Sequence, residues 1–475
     1  MNNSRLSSLI TLLSVFFFWG FVAASNGILT PLFKELFNLT QFRAQLVEWA
    51  FYISYFFGSI VYFSLSYFVG DPLGKISYKK GLVIGLLISA IGAIGFIPAA
   101  NLNSYPLLLT CLFTVGLGFT LQQIVANPYV IALGDPSTGS HRLSLAGGIN
   151  SFGTTIGPVL LSLALFGQVS GSAAHADISA VKLPSFILSG MLVLSAILLS
   201  LSKLPPITTH EHTEKSLGAL KYPQLTLGMA AIFFYVGVEV TTGSNLGKLL
   251  QMPSIKGIGV DKIAPYVSLF WGSLMIGRWR GSLTVFNLSK MWKNIMNIVV
   301  PFVAFGVIAG VNYLSHNDIS EYVYYIPFIV LAIIIFFIGK DKPALTLTLF
   351  SCVSAGMMVL GLCTNGTLAL FSFISGGLFC SVMWPCIFTL AIAGLGKFTT
   401  QGSSLLVMMI LGGACIPPLQ GYIVDNSNAH IAYVVPVFCY AYLAFYGWKV
   451  RAVLKAQGIN ADAVNEEYPA VEATN

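Results

Sequence analysis

From residue 8 to residue 449 the chain is a succession of apolar runs, each of about twenty residues or more, separated by short polar turns. Nothing else in the sequence restricts its fold so severely. The hydrocarbon core of a bilayer, roughly 30 Å thick, is crossed by about 20 residues of α-helix. Within it every backbone N–H and C=O must find a partner inside the protein, so runs of this length can only be helices. They lie near 8–31, 43–69, 80–101, 105–134, 143–167 and 184–203, and then near 223–247, 264–287, 294–314, 322–339, 344–364, 367–395, 402–426 and 429–449. Six precede a polar connector at 204–222 and eight follow it, about fourteen in all.

Composition bears on the partners of such a chain. Of 475 residues 56% are hydrophobic and 9% charged, whereas a soluble protein devotes roughly a quarter of its residues to charge. The expected class is an all-α integral membrane protein whose solvent is the lipid bilayer. The net charge of +7 does not point to nucleic acid, because the basic residues stand singly or in pairs between apolar runs and form no stripe. With the N-terminus placed in the cytoplasm, sixteen of the 24 Lys and Arg fall on the inner side and six on the outer, while Arg278 and Arg280 sit within a run. This bias predicts an inner (plasma) membrane protein, multi-pass and expected to be monomeric, with both termini cytoplasmic. The first run follows a single Arg5 and has no small-residue cleavage site, which marks a retained helix rather than a signal peptide.

The two sides of the connector repeat one another faintly. Asn127-Pro128 and Gly157-Pro158 place their prolines thirty residues apart, and Trp384-Pro385 and Pro417-Pro418 thirty-two apart, with the glycine pairs Gly147-Gly148 and Gly412-Gly413 between them. Matched pairs of proline-interrupted helices point to the central cavity of a transporter. The alignment leaves 294–339 without a counterpart, an inserted hairpin bracketed by Lys290, Lys293, Lys340 and Lys342. The organisation expected is a six-helix half at 1–203, a cytoplasmic connector at 204–222, a second half at 223–449 containing the inserted pair, and a polar, disordered tail at 450–475.

Chemistry inside such a bundle falls to the rare polar side chains. A charge at a helix centre costs about 2.5–3.5 kcal/mol, so each needs a reason. Glu48, on one face with Tyr52 and Tyr55, and Glu239, deep in its run, are candidates for loading and releasing a cation. Amides form the second set: Asn26, Gln122, Gln123, Asn127, Asn150, Asn245 and Gln420. An amide both donates and accepts hydrogen bonds, which suits the vicinal hydroxyls of a sugar, while Trp271 and Trp384 offer flat faces to its C–H surface. The alternative for any single amide is glue between helices. The six histidines map to loops or helix ends, and the seven cysteines form no CxxC pair and have no histidine at ligand spacing. Neither a metal site, a disulfide framework, an organic cofactor nor a catalytic cluster is expected.

Asp71, Gly74 and Lys75, followed by Lys79 and Lys80, form a DxxGK loop that resembles the cytoplasmic signature of the major facilitator superfamily, with Tyr67 where that family has glycine. There the carboxylate and cation hold one gating state; Arg278 would play the matching part in the second half. Gln122-Gln-Ile-Val-Ala-Asn-Pro-Tyr129, Gly134-Asp135, Ser140-His-Arg142, Asn150-Ser-Phe-Gly153, Ser381-Val-Met-Trp-Pro-Cys-Ile-Phe388 and Gln401-Gly-Ser-Ser404 resemble the fucose:proton symporter family, particularly its glucose/galactose transporter branch. The resemblance implies the major facilitator fold, two six-helix halves plus the inserted hairpin, and cation-coupled uptake of a monosaccharide by alternating access. It also implies acids where this chain has Gly27 and Gln123, a sugar-site asparagine at Asn150, a cavity tyrosine at Trp384 and glutamines at Glu48 and Glu239.

The expected function is therefore secondary active import of a hexose or 6-deoxyhexose with H+, or less readily Na+. Asn26, Gln123, Asn127, Asn150, Trp271, Trp384, Asn245 and Gln420 are the candidate substrate residues, Glu239 and Glu48 the coupling residues, and Asp71, Lys75, Arg142 and Arg278 the gating residues. A drug or lipid efflux antiporter is the alternative, since Gly153-Thr-Thr-Ile-Gly157-Pro158 resembles an antiporter motif. A membrane-embedded enzyme would need clustered His, Asp or Cys at depth, and short loops leave no room for a receptor's signalling domain.

Overall fold

The computed structural model describes residues 3–39, 41–70, 72–133, 138–166, 178–202, 204, 218–259, 262–286 and 288–461. Fourteen helical rods run through them. The first six are α1 (Asn3–Leu36), α2 (Gln41–Val69), α3 (Tyr78–Asn101), α4 (Tyr105–Ala132), α5 (Gly139–Phe166) and α6 (Lys182–Leu201). The rest are α7 (Pro223–Gln251), α8 (Ala264–Gly281), α9 (Lys290–Leu314), α10 (Ser320–Gly339), α11 (Pro343–Cys363), α12 (Gly366–Ala391), α13 (Gly396–Asn426) and α14 (Ile431–Ala456). Among the described residues eleven rods contain a stretch long and apolar enough to cross a membrane, and α1, α5 and α8 complete the bundle. Helix α14 continues to Ala456, past the position 450 at which the sequence suggests a tail, because Val450 and Leu454 remain buried against the bundle. Most of the connector lies outside the described residues; Gly218–Lys221 is a single 3-10 turn.

The internal repeat is visible in the packing. Within the first half α1 lies along α5, α3 along α4 and α6, and α2 along α4. In the second half α7 lies along α13, α11 along α12 and α14, and α8 along α12, which is the same set once α9 and α10 are set aside. Glycine permits the closest of these crossings. A Cβ on Gly20 would collide with the backbone carbonyl of Asn150, and one on Gly412 with that of Phe233, so both positions exclude a side chain at matching crossings of the two halves. Between the halves, α5 meets α8 and α2 meets α13, again a symmetric pair.

The prolines behave differently from the sequence expectation. In the second half the helices are interrupted: α12 breaks at Ser381–Val382 and α13 passes through a 3-10 turn at Met409–Leu411. In the first half α4 and α5 run unbroken through Pro128 and Pro158. A proline in a helix frees the carbonyl four residues earlier, which in an apolar bundle requires another donor. The Ile124 carbonyl, freed by Pro128, accepts from Ser403 Oγ of the opposite half at 2.8 Å. The Ser381 carbonyl, freed by Pro385, accepts from Arg278 Nε at 3.1 Å. Ser403→Ala should therefore lower detergent stability by about 1–3 kcal/mol, by stranding a buried acceptor. Adding Pro128→Ala, which restores the helix's own donor, should recover much of that loss in thermal melts; a purely additive double variant would contradict the assignment.

The inserted pair packs on the outer flank of α8 and is pinned at both ends. At one end Glu321 accepts from Lys256 Nζ and, at 2.7 Å, from the Tyr266 hydroxyl. At the other, Asp341 accepts from Arg280 Nη1 at 3.1 Å and Lys293 Nζ at 2.8 Å. Burial opposes the Asp341 charge, but Arg280 and Lys293 outweigh it and hold the carboxyl down at about 2. A carboxyl depressed below its ordinary 3.8 contributes stability that is complete above that value and lost as pH falls through about 2. Asp341→Asn should lower the melting temperature at neutral pH, and the gap from the unaltered protein should close as pH falls from 3.8 toward about 2.

Candidate functional site

Where the two halves face one another they leave a cavity of about 200 Å³, walled by α1, α2, α4 and α5 on one side and α7, α8, α12 and α13 on the other. Its surface is largely aromatic, with Phe16, Trp19, Phe51, Tyr52, Tyr55, Tyr235, Trp271 and Trp384 around a few polar groups. The first half supplies amides. Gln123 Nε2 donates to the Tyr55 hydroxyl at 3.2 Å, and Asn150 Nδ2 donates to the Phe16 carbonyl at 3.1 Å. Asn127 Nδ2 donates back to the Gln123 carbonyl at 2.9 Å, while its Oδ1 is buried with no partner in the protein. A buried acceptor without a donor costs about 1–3 kcal/mol unless something else supplies the proton.

The second half supplies a charge pair. Arg278 stands in the last turn of α8, where the freed Ser381 carbonyl takes its Nε–H. Its Nη1 donates to Ser151 Oγ at 2.7 Å and the Gly147 carbonyl at 3.4 Å, both in α5 of the opposite half. Its Nη2 donates to the Tyr235 hydroxyl at 3.1 Å and Glu239 Oε1 at 3.4 Å, one turn apart on α7. All three nitrogens are therefore engaged by the protein, and the guanidinium bridges the halves from the cavity wall. Among the described lining residues Glu239 is the sole carboxylate.

The halves are joined on the side from which the connector leaves. His141 Nδ1 contacts the Gly281 carbonyl at 2.7 Å, Trp279 Nε1 donates to the Gly148 carbonyl at 3.2 Å, and the Tyr78 and Thr400 hydroxyls meet at 2.8 Å. The glycines of the Gly147-Gly148 pair make room for this seam, since a Cβ on Gly148 would press on the Trp279 ring.

Of the residues singled out in the sequence, Gln123, Asn127, Asn150, Trp271, Trp384, Glu239 and Arg278 meet in the cavity. Asn245 and Gln420 do not line it. Gln420 Oε1 accepts from Asn245 Nδ2 at 2.7 Å and Thr241 Oγ1 at 2.6 Å, and its Nε2 donates to the Ala432 carbonyl at 3.2 Å. These amides glue α7 and α13 to the start of α14, because inside a single half the nearest partner for an amide is another polar side chain. Arg142 is fully buried and its described bonds, to the Val130 and Ile131 carbonyls and Thr138, secure the end of α4 within its own half rather than joining the halves. Arg278 is a cavity residue as well as a link between halves. Asp71 and the side chains of Asn26, Glu48 and Lys75 lie outside the described residues. The sequence reading passed over Tyr235, Ser151, Trp279 and the contact made by His141. Tyr235 had a visible signal, its spacing of four from Glu239; the other contacts are tertiary.

No protein-family model matches the chain. It is 34% identical over 443 residues to the glucose/galactose transporter of Brucella abortus, with 93% of each chain covered. The chain belongs to the fucose:proton symporter family, in its glucose/galactose transporter branch. The L-fucose-proton symporter of Escherichia coli is 28% identical over 459 residues, covering 92% of this chain and 91% of that one. The crystal structure of the major facilitator superfamily transporter FucP in the outward conformation matches with a TM-score of 0.71 and 26% identity, over 94% of this chain and 99% of that one. As a member of this family the chain is a multi-pass sugar transporter of the major facilitator fold.

Within this family member the charge pair predicts an asymmetry. Glu239→Gln leaves Arg278 four of its contacts, whereas Arg278→Met strands the Ser381 carbonyl and an unpaired Glu239 together. The arginine variant should be the less stable in detergent melts, with a loss of roughly 3–5 kcal/mol, and adding Glu239→Gln to it should recover part of the deficit. Equal losses from the two single variants would contradict this hierarchy.

Proposed function

We propose that the protein imports a neutral monosaccharide, a hexose or 6-deoxyhexose, coupled to a proton, by alternating access across the inner membrane. One observation carries the substrate reading: the amides of Gln123, Asn127 and Asn150 line an aromatic cavity whose only described guanidinium is already saturated. Sugar hydroxyls are neutral groups that pair with amides, and indole rings such as Trp271 and Trp384 suit the C–H face of the ring. An anionic sugar would find Arg278 occupied. The names of the glucose/galactose and fucose relatives agree with a neutral monosaccharide.

Coupling is assigned to Glu239, the described carboxylate of the cavity. A proton arriving there cancels the pair with Arg278, and so loosens the residue that ties α7 to α5. A sodium site would gather several oxygen ligands, and Glu239 is the single acid among the described lining residues. With both termini in the cytoplasm, as the distribution of Lys and Arg supports, the seam at His141 and Trp279 closes the cytoplasmic side of the cavity. An efflux antiporter for lipids or drugs is disfavoured by the small cavity and by an extra helix pair that interrupts the second half instead of joining the halves.

Proteoliposomes loaded with unlabelled hexose should accumulate labelled glucose, galactose or fucose by counterflow. Asn127→Ala should raise KM about tenfold. Glu239→Gln should retain counterflow and lose accumulation driven by an imposed pH gradient, with no response to sodium. Failure to exchange any monosaccharide would overturn the substrate reading, and a Glu239→Gln variant that still follows the pH gradient would overturn the coupling role.

A further inference from the structure

The last turn of α8 is held from two sides. Arg278, Trp279 and Gly281 bind Gly147, Gly148 and His141 of the opposite half. Arg280, between them in sequence, turns the other way. Its Nη1 meets Asp341 at 3.1 Å and its guanidinium carbon lies 4.2 Å from the centre of the Phe336 ring in α10. Lys293, in the first turn of α9, closes on the other Asp341 oxygen at 2.8 Å. One carboxylate thus gathers the end of α8 and both feet of the inserted pair directly behind the seam that joins the halves. A cavity of about 20 Å³ marks the junction, bordered by His141 and Ser144 of the first half, Arg280 and Cys386 of the second, and Phe336 and Asp341 of the insert.

We propose that Asp341 is a gate-positioning residue, and that the inserted helix pair serves to brace the end of α8 in the position that seals the connector side of the transporter. Sealing requires the carbonyl of Gly281 and the ring of Trp279 to reach α5 simultaneously, and an unbraced last helical turn frays. The brace is rigid because Arg280 is fixed by a charge pair along one edge and by the Phe336 ring on its face. Loosening it raises the free energy of the sealed state and leaves the sugar-contacting side chains where they are. The inference rests on the reading that the halves alternate, and it predicts a change in conformational population rather than in intrinsic sugar contacts.

The test measures distance and needs no sugar flux. Cysteines at Lys80 and Lys455, exposed on the connector side of opposite halves, carry spin labels in a background with the exposed Cys352, Cys363 and Cys415 replaced by serine. Pulsed electron resonance should show Asp341→Asn and Phe336→Ala enriching the longer, connector-open distance about fivefold, the size of a typical coupling between sites. Glu321→Gln removes a comparable ionic tie at the far end of the same insert and should leave the distances unchanged. Two variants guard against one failing to fold. If Asp341→Asn and Phe336→Ala keep the unaltered distribution, or if Glu321→Gln shifts it equally, the insert is ordinary packing and the proposal falls. Sugar counterflow is scored separately, so a protein that moves no monosaccharide would sink the transport reading without deciding this one.

Discussion

A backbone carbonyl released inside an apolar bundle has to be met, and much of the centre of this protein follows from two such releases. Pro128 and Pro385 occupy matching places in the repeated halves and free the carbonyls of Ile124 and Ser381. The first is answered by a hydroxyl from the other half, Ser403. The second is answered by a guanidinium, Arg278, and that choice brings a positive charge to the cavity wall. A buried charge needs a counter-charge, so Glu239 and the Tyr235 hydroxyl follow on the facing helix. Because Arg278 also reaches Ser151 and Gly147, the group that repairs a helix break spans the two halves.

That arrangement separates two tasks in one small space. The aromatic walls and the amides of Gln123, Asn127 and Asn150 offer neutral recognition, while the charges neutralise each other at the edge. A change in the protonation of Glu239 acts on the contact between halves, and a ligand that fills the cavity acts on the same residues from the other side. Coupling of this kind requires only that the two events bias one equilibrium.

Much of the architecture was legible in the sequence because it is written in periodic, local signals. The fourteen apolar runs, the even-numbered insertion and the two repeated halves each survive as rods and matched packings. The site was only partly legible. Asn127 and Asn245 are alike in residue type and setting, yet one lines the cavity and the other is spent on Gln420. Which face of a helix meets which neighbour is decided by tertiary packing, and a single sequence does not display it. The same holds for Arg278 and Arg280, two residues apart on α8: one faces the cavity and the other the insert. Unbroken helices through Pro128 and Pro158 were equally hidden, since the donor that answers the carbonyl freed by Pro128 lies 279 residues from it.

The central claim is that the cavity recognises a neutral sugar because its one described cation is already satisfied. Equilibrium binding to the purified protein, followed by the fluorescence of Trp19, Trp271 and Trp384 in the cavity wall, tests it directly. A neutral hexose or 6-deoxyhexose should give a saturable change, and the matching uronic acid, identical except for its carboxylate, should give none at the same concentration. Tighter binding of the uronic acid than of the neutral sugar would show that Arg278 is available to ligands, and would contradict the account.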